Sequence, residues 1–236
     1  MPLSLLSIAM DLQYLPVGNK GNLEYAAHMI GTLALLGGGP FVANEELDAR
    51  LIADAHATEV VVLPTADAFE HPSRMIEMAT AWGARHGVTV DGRLVLRRAD
   101  ANQQDHAQAV SSARMVYLVG DSPLHLRSVL KDTAVFDGLR TVLSNGGVVV
   151  ATGASAACLC DPMTDPRGGA FTLGLELVDD LALLTEAETW SPERLHRTLK
   201  LANNFTVAVL PTGSAVLRVG STWETVGTPE IHGDLP

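Results

Sequence analysis

Residues 148–155, Val148-Val149-Val150-Ala151-Thr152-Gly153-Ala154-Ser155, run from a β-branched stretch through a small-residue turn into a serine. A cramped strand-to-helix corner of this kind can aim a hydroxyl at an acyl carbon, with backbone N–H groups placed to meet the oxyanion. Ser155 is therefore a candidate nucleophile. The N–H of Ala156 and one from the Gly120-Asp121 turn are the candidate oxyanion donors. The plainer alternative is a serine that caps the helix after it. A nucleophilic serine also needs a base within hydrogen-bond reach. Of the eight histidines, His28 falls in an N-terminal arm and His232 in a tail, while His56, His86, His106 and His196 fall on helical or loop surfaces. His71 and His125 remain, each just beyond the carboxyl end of an expected strand. At the third position of a helix, His125 would be held neutral by the helix dipole, as a base requires. A structural histidine suits the same place.

Other chemistry is weaker. Cys158 and Cys160 form a C-x-C pair with no further ligand pair, so neither a disulfide nor a zinc site is expected, and reduced buried thiols fit a cytoplasmic protein. Cys158 lies three residues past the serine, too far along the helix to serve as the nucleophile. Gly37-Gly38-Gly39 lacks the order of a nucleotide-binding loop and reads as a tight strand exit with close backbone approach. No metal or cofactor is implied. Recognition of an acidic ligand would need a basic partner, for which Arg127 and Arg167 are candidates.

These residues need elements to carry them. From Thr32 onward the chain alternates between apolar runs and amphipathic stretches. Strands are expected at 32–36, 59–63, 94–96, 115–119 and 147–151. Helices are expected after Asn44 and over 73–86, 103–113, 124–130 and 136–144, with one more after Ser191-Pro192. Continuous hydrophobic strands between amphipathic helices specify a doubly wound α/β domain, its mostly parallel sheet covered by helices on both faces. Short C-terminal strands at 181–184, 206–210, 215–219 and 222–226 should extend or edge that sheet. The expected organisation is an arm over 1–31, a single domain over 32–227 and a tail over 228–236.

The bulk numbers bound the partners. With 47% hydrophobic residues and 18% charged ones in 236 residues, a sizeable two-sided core is affordable and disorder is not expected. A net charge of −11 argues against nucleic acid and against an anionic membrane surface. No apolar run reaches the ~20 residues of a membrane span, and the first residues lack the basic start of a signal peptide. The composition and edge strands permit a homodimer.

Taken together, several segments resemble the serine-peptidase family of peptidase E (aspartyl dipeptidase) and cyanophycinase, within the class I glutamine-amidotransferase-like superfamily. The resemblance runs from about Leu33 to Val226. It is carried by Leu35-Leu36-Gly37-Gly38-Gly39, Val62-Leu63-Pro64-Thr65-Ala66, Tyr117-Leu118-Val119-Gly120-Asp121-Ser122-Pro123, the corner through Ser155, Cys160-Asp161-Pro162-Met163, Asp165-Pro166-Arg167-Gly168-Gly169 and Glu188-Thr189-Trp190. It implies the matching fold, a metal-free Ser-His-Asp/Glu triad with Ser155 as nucleophile, and a small acidic peptide or other amino-acid-derived ligand. Four positions depart from the family pattern. After the serine the chain reads Ala156-Ala157-Cys158, and the oxyanion turn is Val119-Gly120. The place of the family histidine holds Thr185, Glu186 and Ala187. No acidic residue stands in 209–213. Two readings stay open: a serine hydrolase attacking an amide of a small acidic peptide, with His125 or His71 as an unorthodox base, or a catalytically degenerate relative that keeps the pocket for ligand or partner binding.

Overall fold

A computed structural model describes residues 30–236, so the arm expected over 1–31 lies outside the described residues except for its last two. In chain order the elements are β1 (Thr32–Leu36), α1 (Glu45–Ala55), β2 (Glu59–Leu63), α2 (Pro72–His86), β3 (Thr89–Gly92), α3 (Gln104–Ser112), β4 (Met115–Leu118), α4 (Pro123–Leu130), α5 (Ala134–Ser144), β5 (Val148–Thr152) and α6 (Ala154–Leu159). Then come β6 (Cys160–Asp161), β7 (Met163–Thr164), β8 (Phe171–Thr172), β9 (Val178–Asp179), β10 (Leu181–Thr185), α7 (Pro192–Leu201), β11 (Thr206–Leu210), β12 (Ala215–Val219), β13 (Thr222–Val226) and β14 (Glu230–His232).

The main sheet has the order β13-β12-β1-β5-β4-β2-β3. Strands β1 to β5 run parallel, and β12 and β13 continue the sheet antiparallel beyond β1. This is the doubly wound α/β architecture expected from the sequence. Its central strands are buried on both faces, which is why they read as unbroken apolar runs. Period-two alternation sorts their side chains. Leu33, Leu35, Leu63, Leu118, Val149 and Ala151 pack with α3, α4, α5 and α6, while Ala34, Leu36, Val62, Tyr117 and Val150 meet α1 and α2. Helix starts follow the sequence signals: Pro72 and Pro123 open α2 and α4, and the Ser191 hydroxyl caps α7 by accepting from Arg194 N–H.

Three expectations are corrected. The third strand is Thr89–Gly92, not 94–96; it is an edge strand, half-exposed and therefore polar, so the more apolar neighbouring residues mislead. β10 and β11 do not join the main sheet but form a second, three-stranded one with β14. The stretch expected as a tail supplies β14, which pairs with β11, and its Ile231 and Leu235 pack on the main core. Two short pairs, β6 with β9 and β7 with β8, link the two sheets in sequence.

Candidate functional site

Ligands of open α/β sheets gather at the carboxyl ends of the strands. Here β1, β5, β4 and β2 end side by side. Gly153 N–H extends the ladder by donating to Leu36 O at 2.9 Å, and the chain then turns into α6. The residue at that corner is Gly153, with φ 58° and ψ −131°, a conformation that L side chains rarely adopt. A Cβ built there would meet no atom within 4 Å, so the tip of the corner faces open space. In a nucleophile elbow, this strained residue is the one that carries the reacting side chain. Here it carries none.

Ser155 lies two residues further on. It is fully buried, and its hydroxyl donates to Gly120 O at 3.0 Å. The exposed hydroxyl expected at this position is therefore corrected: the turn is completed before the serine, which points inward against the end of β4. The expected oxyanion donors are corrected as well. Ala156 is buried, whereas Ala154 follows the corner directly and borders the open cavity. Gly120 turns a carbonyl, an acceptor, toward Ser155. Its φ of 112° and its closeness to Asp67 N (2.5 Å from an added Cβ) make glycine necessary there.

The candidate bases stand apart. His71 is an exposed residue at the N-terminus of α2. His125 places Nε2 2.9 Å from Leu96 O and its ring edge-on to Phe69. Arg127 donates Nε–H to Gly174 O at 2.9 Å, and Arg167 pairs on the surface with Asp165 at 2.7 Å. Cys158 is buried and its thiol contacts Pro123 O; burial pushes its ionisation far up, which removes it as a nucleophile.

Beside the corner lies a cavity of about 280 Å³ bordered by Asp121, Ala154, Leu183, Glu186, Trp190 and Arg194. Glu186 reaches it because of the triple glycine. Its N–H donates to Gly37 O at 2.8 Å, and a Cβ on Gly38 would sit 2.7 Å from Glu186 Cγ. Glu186 itself adopts φ 49°, ψ 45° at the end of β10. Burial, reinforced by the charges of Asp121 and Glu188, raises its pKa above the usual carboxylate value. Asp67, on the neighbouring β2 loop, is raised by burial and then by Asp121 and Glu70, with His71 opposing. Arg194, which also borders the cavity, stacks its guanidinium 3.8 Å from the Trp190 ring centroid and donates to Pro166 O at 2.9 Å. Trp190 is anchored in turn by its indole N–H to Thr185 O.

Of the residues singled out in the sequence, the fold brings Asp121 and the 148–155 corner to this cavity, but neither histidine and neither of the two chosen arginines borders it. Gly153, Trp190 and Arg194 were not legible as site residues. The displaced family position Glu186 was the one available signal. Among the described residues no group of three or more His, Cys, Asp or Glu is placed to hold a metal, and no helix is long and apolar enough to cross a membrane.

No protein-family model and no curated protein matches the sequence. Solved structures do. A peptidase from an acI-B1 Actinobacterium aligns over 87% of this chain and 91% of its own at 22% identity, with a TM-score of 0.77. A protein from Listeria monocytogenes EGD-e named "Putative Peptidase E Protein" aligns over 83% of this chain and 97% of its own at 15% identity, TM-score 0.63. The chain is thus similar along most of its described length to these proteins, and it carries a peptidase E-like fold.

Proposed function

We propose that this protein is a catalytically silent relative of the peptidase E fold that binds a small amino-acid-derived ligand at the carboxyl ends of its strands. One observation carries the reading: the strained corner between β5 and α6 is Gly153, which has no side chain to attack anything. Ser155 does not stand in for it, since its buried hydroxyl is engaged by Gly120 O. A hydrolase built on Ser155 would need that hydroxyl to break its bond, reach the cavity and find a base. The imidazole of His125 is meanwhile turned to Leu96 O. The cavity bordered by Ala154, Glu186 and Arg194 remains as a place for a ligand.

The test is covalent labelling. Full-length protein treated with a fluorophosphonate probe and weighed intact should show no adduct, and Ser155→Ala should behave identically. A stoichiometric adduct that Ser155→Ala abolishes would establish the serine hydrolase instead.

A further inference from the structure

Three charged side chains border the cavity beside the Gly153 corner, and none of them neutralises another. Among the described residues, the Asp121 and Glu186 carboxylates have neither hydrogen-bond nor ion-pair partner, and Arg194 pairs with no carboxylate. Asp121 and Glu186 are exposed at the rim of the cavity and Arg194 is half-buried, so water reaches all three and their mutual attraction is weak. Here they are held apart by the scaffold. Arg194 is pinned by the Trp190 ring and Pro166 O, and its buried Nε–H still lacks an acceptor. Glu186 is fixed by its left-handed backbone and by the N–H bond to Gly37 O. The rest of the lining sets apolar Pro123, Leu183 and Ala154 beside Thr164, Thr185 and Thr189.

Building on the silent-elbow reading, we infer that this cavity binds a free α-amino acid with an apolar side chain as its zwitterion. The ammonium lies toward Asp121 and Glu186, the carboxylate toward Arg194, and the side chain among Pro123, Leu183 and the Trp190 ring. Size fits a single residue: about 280 Å³ is just below the roughly 300–1,000 Å³ of pockets for drug-sized ligands. The sign of the walls also disfavours the acidic peptide implied by resemblance, since an extra carboxylate would face two unpaired ones.

Calorimetry on the full-length protein separates the poles with three probes: L-leucine, N-acetyl-L-leucine and L-leucinamide. L-Leucine is expected to bind saturably at one site, and each blocked form about tenfold or more weaker, the loss expected for one charge-assisted contact. Glu186→Gln should weaken L-leucine and narrow its advantage over the N-acetyl form. Arg194→Gln should weaken it and narrow its advantage over the amide. This selective convergence would not arise from a general loss of folding. Equal binding of all three probes, or no binding of L-leucine by protein that unfolds cooperatively, overturns the inference. Neither result touches the silent-elbow reading, which fails only on a Ser155-dependent adduct.

Discussion

Ser155 and Asp48 show how a single polar side chain changes meaning once its surroundings are known. The buried Ser155 hydroxyl ties α6 to the end of β4 through Gly120 O, so its contribution is to stability. Ser155→Ala should lower unfolding free energy by about 1 kcal/mol, the usual net value of a neutral hydrogen bond, and leave ligand affinity unchanged. Denaturant titration and calorimetry read the two effects separately. Asp48 on α1 is fully buried under the opposite face of the sheet, where its Oδ2 accepts from the Trp82 indole at 2.9 Å and the Tyr117 hydroxyl stands nearby. Burial raises its pKa from 3.8 to about 7, against the opposing effect of the Trp82 bond. The folded state therefore holds a proton that the unfolded chain releases near pH 4. The stabilisation is complete below that pH and is lost as pH rises through about 7. Urea unfolding of the native protein and of Asp48→Asn should diverge accordingly. Between about pH 4 and pH 7 the native protein loses stability relative to the variant, which keeps an acceptor for Trp82 but does not titrate. Parallel profiles would show that Asp48 ionises freely.

At the scale of elements, the two corners on neighbouring strands differ in what confines them. Gly120, after β4, has φ 112° and no room, since an added Cβ would lie 2.5 Å from Asp67 N and 2.6 Å from Ala66 C. Gly153, after β5, has a similar need for positive φ but open space around it. Gly120→Ala should thus destabilise by about 3 kcal/mol, from torsional strain and overpacking together. Gly153→Ala should cost only the torsional part, on the order of 1 kcal/mol. Comparable losses in thermal or chemical denaturation would contradict the difference in crowding. Much of this level was legible in the sequence. Pro72, Pro123 and Ser191 marked helix starts because a ring without an N–H, or a capping hydroxyl, acts on its immediate neighbours. The strand Thr89–Gly92 was not, because its exposed edge position permits polar residues and erases the apolar signature.

Across the whole molecule, the C-terminal residues are a structural component of the second sheet. β14 pairs with β11, and Ile231 and Leu235 pack against the core of the main sheet. Removing 228–236 should expose the β11 edge and lower stability by about 2 kcal/mol or more, judged from the apolar side chains returned to water. Unfolding transitions of the truncated and full-length chains provide the measurement; superimposable curves would make the segment dispensable. The same distinction between neighbours in sequence and neighbours in space separates what could be read from what could not. The succession of strands and helices, and the parallel sheet covered on both faces, followed from the sequence by itself. Burial on two faces is written into consecutive residues such as 148–152. Which of Thr152, Gly153, Ala154 and Ser155 occupies the strained corner was decided only by the tertiary structure, because the ladder from β5 to β1 and β4 sets where the strand ends. The cavity was decided there too. Asp121, Glu186 and Arg194 come from separate segments, and only the packing of the second sheet against the first brings their charges to one space while holding them apart.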